Sequence, residues 1–417
     1  MPSKVLLASA SLYRKLGRAH NFGLIADDVG VNFSDLIDRK DLIVEQISGP
    51  NLRAYLESQG MEIIEGRASF ASEREISVDG RRLSFNKALV ATGSRPLVPP
   101  IDGLDISGYI TSREAIDKRR LPRSVIVMGG SSVALEFTAV YRSFGSSVTI
   151  VEAAPRIAFR EDAQVSEELA RRLAEQGVTI YTNATVRRAA PAGPEKSVIV
   201  ETSEGEITLQ AEELFVATGR RPNVEGLGLE EIGVDFGAKG IKVDPFLRTS
   251  ARNVYAAGDV IPTLQLAQVG AYEGYVVGAN AVSGDTMRTD YRVMPRVTWS
   301  YPEMASVGLT EEEATRQGIP HVVGSFPLAP LARAFAESEQ SGFVKALVDL
   351  RNHEVIGFHA IGERSDEMVH EGLLAMHGRI KLHELAQAVF AEITMSEAVG
   401  NLFIELDATL ERARRAA

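Results

Sequence analysis

Apolar and polar positions change their period three times along this chain. Residues 4 to 60 read as helical pieces, with Leu52, Tyr55, Leu56 and Met61 marking a segment that stops at Gly60. Short alternating runs follow and predict strands: Glu62-Ile63-Ile64-Glu65, Glu75-Ile76-Ser77-Val78, and Arg82-Leu83-Ser84-Phe85 after the Asp79-Gly80 turn. Lys87-Ala88-Leu89-Val90-Ala91 is continuous enough in apolar character to predict a buried strand. After Leu121-Pro122 the order becomes strand (124–128), helix (131–144), strand (147–151). That order predicts a βαβ unit with a right-handed crossover. A helix over 165–176 and a strand over 178–181 extend it, and β-rich segments fill 185–217. Beyond about Tyr291, strands at 296–299, 342–348 and 355–358 alternate with helices, one opened by the capping box Thr310-x-x-Glu313 and another over 367–376. This last stretch predicts an α+β domain.

Two segments repeat almost word for word. Ala88-Leu89-Val90-Ala91-Thr92-Gly93-Ser94-Arg95-Pro96 and Leu214-Phe215-Val216-Ala217-Thr218-Gly219-Arg220-Arg221-Pro222 each follow a meander of short strands. The repetition implies two duplicated nucleotide-binding domains of α/β class. Only the second copy carries a glycine-turn βαβ unit upstream, so the counterpart of the first is expected before residue 1.

Bulk properties narrow the partners. The 417 residues suffice for two or three domains, with 45% hydrophobic and 24% charged residues. A net charge of -11 repels a phosphate backbone, and the basic clusters Lys118-Arg119-Arg120 and 412–415 are short, so nucleic acid is not an expected partner. No run of about 18 apolar residues predicts a membrane span, and no secretory leader is visible. The sequence has no cysteine, which removes thiol catalysis and thiolate metal sites and is compatible with a reducing cytoplasm, the expected location. The seven histidines show no metal-ligand spacing; His370 and His377 read as surface residues two helical turns apart.

The sharpest local chemistry lies at Gly129-Gly130-Ser131-Ser132-Val133-Ala134, between a buried strand and a helix. Gly129 permits a tight turn, and the helix that follows directs its N–H groups and positive dipole end at a pyrophosphate. Ser131 stands where a second glycine is usual, and Ala134 still allows close helix–strand packing. Glu152 ends the next strand, 23 positions beyond Gly129. A carboxylate there accepts both ribose hydroxyls of NAD and repels a 2′-phosphate, so NADP is less expected, although Arg156 lies close by.

With these pieces in place, the chain resembles the flavin-dependent pyridine nucleotide–disulfide oxidoreductases from Pro2 to about Leu406. The carrying segments are Pro2-Ser3-Lys4, the two Ala-Thr-Gly turns, 129–136, Val254-Tyr255-Ala256-Ala257-Gly258-Asp259, Tyr301-Pro302-Glu303-Met304-Ala305-Ser306-Val307-Gly308 and Ile393-Thr394-Met395-Ser396-Glu397. The resemblance leans to mercuric reductases and dihydrolipoyl dehydrogenases. It implies two Rossmann-like FAD- and NAD(P)-binding domains, the first incomplete, plus a C-terminal α+β dimerisation domain. The implied boundaries are 1–120 with 251–290 for FAD, 121–250 for NAD and 291–417 for dimerisation. It implies FAD and NAD(H) as cofactors, a homodimer, and hydride transfer toward a small-molecule or protein-bound substrate. Residue by residue, Lys4 matches the lysine beside flavin N5 and Glu136 the glutamate that pairs with it. Ala68 matches a backbone contact to the FAD adenine, Asp259 the aspartate on the ribityl chain, and Ala267 a contact near it. Thr92 and Gly93 belong to the first cofactor turn. Val186 and Gly219 match positions at the adenine and nicotinamide-ribose sites of NAD. Glu397 matches the glutamate that supports the acid–base residue.

Three departures stand against that pattern. The family's two cysteines and its first glycine turn fall before Pro2, which reads as a start inside the pattern and predicts weak FAD retention. The acid–base residue, His or Tyr in the relatives, is Glu392 here, and a carboxyl needs burial to raise its pKa for that task. The paired cysteine at the end of mercuric reductases is replaced by Glu411-Arg412-Ala413-Arg414-Arg415-Ala416-Ala417. Two readings remain open: a flavin-dependent enzyme, and a degenerate NAD(H)-binding dimer without chemistry.

Overall fold

The computed structural model describes residues 1–416, and its contacts divide the chain into two compact units. One contains Met1–Val44, Val98–Thr218 and the chain from Arg292 onward; the other contains Glu45–Leu97 and Gly219–Tyr291.

The first unit begins with helix α1 (Pro2–Leu16), which has proline in its first turn and Arg14 and Lys15 in its last, as the backbone dipole favours. A four-stranded parallel sheet follows, in the order Glu213–Val216, Ser124–Met128, Ser147–Val151, Thr179–Tyr181. Its strands Ser124–Met128 and Ser147–Val151 are mostly apolar because both faces are covered. Val125, Val127, Val148, Ile150 and Phe215 point to helices α2 (Ser132–Ser143) and α3 (Ala163–Glu175), meeting Leu135, Phe137, Leu169 and Leu173. Ile126, Met128, Val151, Leu214 and Val216 point the other way, to the antiparallel meander Thr185–Ala192, Glu195–Thr202, Gly205–Ala211. Leu6 and Leu7 of α1 pack against Ala139 and Val140 of α2, which fixes the two helices side by side.

The same unit contains a five-stranded antiparallel sheet, in the order Arg296–Thr298, Met304–Gly308, Val355–Gly362, Gly342–Asp349, His321–Pro327. Helices α4 (Ser365–His377) and α5 (Glu397–Ala416) cover it through Met368, Val369, Leu402, Phe403 and Leu406. The Thr310–Glu313 capping box forms as the spacing predicts.

The second unit repeats the order of the first in miniature. A meander (Ala68–Ser72, Glu75–Val78, Arg81–Ser84) precedes a parallel pair, Ala88–Val90 with Val254–Ala256. Here the two repeated turns meet: Ser94–Pro96 pairs antiparallel with Arg220–Pro222, and Arg95 lies opposite Arg221. Their charge is met by Glu225, which takes two Arg95 nitrogens at 2.8 and 2.9 Å and Arg221 at 2.7 Å.

Two expected strands are corrected. Glu62–Glu65 has no ladder; its carboxylates pair with Arg81 and Arg53 instead, and the meander starts at Ala68. The 87–91 strand is covered on one face only, because Leu89 is 43% exposed between buried Ala88 and Val90.

Candidate functional site

The glycine turn is dictated by close approach on both sides. Gly129 has φ +110°, and a Cβ there would lie 2.4 Å from the Ala217 carbonyl oxygen, so no larger residue fits without moving backbone. Its N–H donates to Val151 O at 2.8 Å, while Ala217 N–H donates to Met128 O at 2.9 Å, which ties the turn between the ends of both neighbouring strands. Gly130 differs: a Cβ there would meet the Ile157 side chain at 2.9 Å and the Glu152 carboxylate at 3.0 Å.

Glu152 therefore lies against the turn. Its Oε2 accepts the Gly130 N–H, and its Oε1 accepts the Ala154 N–H at 2.7 Å. Immediately beyond, α2 starts at Ser131, whose side chain makes no capping bond, and its first turn holds no acid. Ser131 and Ser132 are exposed and Val133 is half-buried. The N–H groups of such a helix start could hold an anion. Thr298 Oγ1–H donates to Ser132 Oγ at 2.8 Å, so the serine is held from below.

One turn further along α2, Glu136 is only 6% exposed and needs a partner. The first turn of α1 supplies it: Lys4 Nζ stands 2.7 Å from Oε1 and Ser3 Oγ donates to Oε2 at 3.2 Å. The Lys4 side chain keeps 34% of its surface open.

The second unit brings Thr92, Gly93 and Asp259 close together. Gly93 has φ +68°, Thr92 Oγ1 donates to Asn223 O at 2.7 Å, and Asn223 returns bonds to Thr92 O and Gly93 O, both at 2.9 Å. Asp259 Oδ2 accepts Ser94 Oγ–H at 2.6 Å and lies 3.5 Å from Arg220 Nε. Gly219 has φ +131°. Ala68 begins its strand and Ala267 begins the helix Ala267–Ser283, both exposed. Val186, in the first unit, is buried with its side chain in the core of the parallel sheet, so only its backbone can face a ligand.

The carboxyl groups near the C-terminus are arranged differently from expectation. Glu392 is exposed, so within this chain it is not enclosed as the expected proton-transfer role requires. It is followed by Ile393 at φ +58°, a costly conformation for a β-branched residue. Glu397 is half-buried and accepts the Thr394 N–H at 3.2 Å, just ahead of α5. Sequence reasoning missed two other carboxyls. Glu371 accepts Ser396 Oγ–H, its second oxygen is buried with no partner among the described residues, and burial pushes its pKa up. Burial, then the neighbouring Asp366, pushes Glu303 up to about 8. Neither signal is readable from spacing, since both arise from tertiary packing.

Comparison with known proteins shows the family. Residues 1–274 match the pyridine nucleotide-disulphide oxidoreductase family, and residues 294–403 match that family's dimerisation domain. Mercuric reductase of Bacillus cereus is 30% identical over 400 residues, 96% of this chain, and the match spans 63% of that relative's length. Mercuric reductase of Staphylococcus aureus is 31% identical, with 96% and 73% covered. Dihydrolipoyl dehydrogenase of Mycobacterium tuberculosis is 35% identical over 412 residues, with 97% and 88% covered. Among solved structures, LpdA from Mycobacterium tuberculosis superposes with a TM-score of 0.88 at 27% identity, covering 97% of this chain and 89% of that one. The HOCl-induced flavoprotein disulfide reductase RclA from Escherichia coli superposes at 0.85 and 27%, covering 96% and 88%. With the two family matches covering most of the sequence and relatives of 31% and 35% identity aligned over nearly all of it, the chain belongs to the pyridine nucleotide-disulphide oxidoreductase family.

Proposed function

We propose that the chain exchanges hydride between NAD(H) and FAD as a flavoprotein oxidoreductase of the disulfide-reductase type, acting as a homodimer in the cytoplasm. One observation carries the reading: α2 bears both halves of the chemistry. Its uncapped first turn, Ser131 to Val133, offers an anion site, and one turn on, Glu136 holds the ammonium of Lys4.

Each assigned residue has a physical task. Gly129 and Gly130 let the backbone approach a pyrophosphate, and the α2 N–H groups receive it. Glu152 accepts the adenine ribose hydroxyls and opposes a 2′-phosphate. Arg156 cannot reverse that preference while its guanidinium is held by Glu312 at 2.8 Å and over the Phe159 ring at 5.0 Å. Lys4 stabilises negative charge on the reduced flavin ring, and its partly open side chain fits that role. Asp259 binds the ribityl chain, Ala68 and Ala267 offer backbone contacts, and Thr92 and Gly93 shape the turn. Val186 and Gly219 offer backbone at the NAD adenine and nicotinamide ribose. Glu392 and Glu397 are assigned to proton handling in the dimer. FAD, when bound, supplies a two-electron acceptor for hydride. The names of the relatives point to a disulfide or a metal ion as the onward acceptor. The sequence contains no cysteine, so no thiol among these residues carries electrons onward.

A homodimer is supported by the matched dimerisation domain and by exposed Leu374, Val389 and Ile393 within it. Among the described residues, no helix is long and apolar enough to cross a membrane.

A second reading, an NAD(H)-binding dimer without chemistry, is favoured by the exposure of Glu392 and the absence of cysteine. The test is an anaerobic NADH titration of the FAD-loaded protein. Bleaching of the visible flavin absorbance supports hydride transfer. NADH binding without bleaching supports the second reading, and no NADH binding removes both.

A further inference from the structure

We propose that Trp299 is a positioning residue that fixes the Lys4 ammonium by a cation–π contact. The inference rests on the reading of Lys4 as a flavin-facing group and adds the device that aims it.

The Lys4 Nζ lies 4.1 Å from the centroid of the Trp299 ring. At that distance a cation over an indole face is attracted by the ring quadrupole, most strongly for Trp among the aromatic residues. Glu136 takes the ammonium at 2.7 Å from another element, α2. A flexible four-carbon stem held only by a carboxylate keeps much of its rotational freedom. A second restraint on the same nitrogen removes much of that freedom and leaves the remaining N–H direction defined. The ring is itself restrained: its Nε1–H points to Asp366 Oδ2 at 3.4 Å, and it packs against the cluster that contains Leu6 and Val140. Hydrogen bonding of the indole N–H to a carboxylate polarises the ring toward its face, which strengthens its hold on a cation. The three points of attachment come from α1, α2 and the segment after strand Arg296–Thr298, so the lysine is set by tertiary structure and not by its own helix.

Trp299 is the only tryptophan in the sequence, so the emission of the full chain before FAD is added reads this ring directly. Lys4→Met is expected to change the intensity or position of that emission; an unchanged spectrum overturns the contact. In FAD-loaded protein, the flavin midpoint potential and the rate of flavin reduction by NADH are compared for Lys4→Met, Trp299→Leu and Trp299→Phe. Lys4→Met should lower the potential most. Trp299→Leu should lower it in the same direction and slow reduction roughly threefold to thirtyfold, the factor expected for a lost cation–π contact. Trp299→Phe should rescue most of the loss, because it keeps an aromatic face. If Lys4→Met shifts the potential and Trp299→Leu does not, or if Phe is as damaging as Leu, the positioning role is wrong while the flavin reading stands. If Lys4→Met leaves the potential unchanged, the flavin-facing reading fails and this inference fails with it.

Discussion

Lys4 and Glu136, 132 positions apart in sequence, meet at 2.7 Å across the packed faces of α1 and α2. The glutamate is buried and the lysine partly open, so loss of either partner is unequal in effect. Lys4→Met leaves a buried carboxylate with only the Ser3 hydroxyl, which should cost about 1–3 kcal/mol of stability. Glu136→Gln leaves a cation that can turn to solvent and should cost less. The double variant should recover part of the Lys4→Met loss. Denaturant unfolding of the three proteins checks the order.

The two glycines of the turn should separate folding from binding. Gly129→Ala forces a Cβ onto the Ala217 carbonyl at positive φ and should destabilise by roughly 2 kcal/mol or more. Gly130→Ala meets only side chains, Ile157 and Glu152. It should keep most of the stability while displacing Glu152, so its loss should appear chiefly in NADH affinity. Thermal melts and NADH titrations of both variants decide this.

Glu152→Gln keeps the shape but removes the charge that opposes a 2′-phosphate. The preference for NADH over NADPH should fall roughly tenfold or more, the weight of a charge-assisted hydrogen bond. Paired titrations of the two dinucleotides measure the ratio.

Glu303 gives the protein a pH-dependent stability. Its folded pKa is raised from 4.5 to about 8 by burial and then by Asp366, so the folded state binds more protons than the unfolded state between those values. Stability contributed by the protonated form is therefore full below about 4.5 and is lost as pH rises toward about 8. Glu303→Gln should flatten that decline, giving a protein whose unfolding free energy varies less between pH 5 and pH 8 than that of the wild type.

Much of the architecture was legible because buried parallel strands have no alternation to mistake. Ser124–Met128, Ser147–Val151 and the helix between them fall where the apolar runs place them. The misread segment, Glu62–Glu65, alternates as a strand does, yet its acids are bound to Arg53 and Arg81, which the local pattern does not contain. In the site, Gly129 and Glu152 were readable from spacing, and their contact through Gly130 follows from the parallel register of their strands. Lys4 was readable only through resemblance. Trp299, Glu303 and Glu371 were not readable, since their contacts join residues far apart in sequence. Exposure of Glu392 was equally hidden, because a carboxyl in a short loop carries no burial signal in its neighbours.

The central claim is that residues 129–133, with Glu152, form the dinucleotide site. Calorimetric titration of the full chain with NADH, beside Glu152→Gln and Gly130→Ala, tests it most directly. The account predicts one NADH per chain for the wild type and clearly weaker binding for both variants. A folded wild-type protein that takes up no NADH, or variants that bind it as tightly as the wild type, would contradict it.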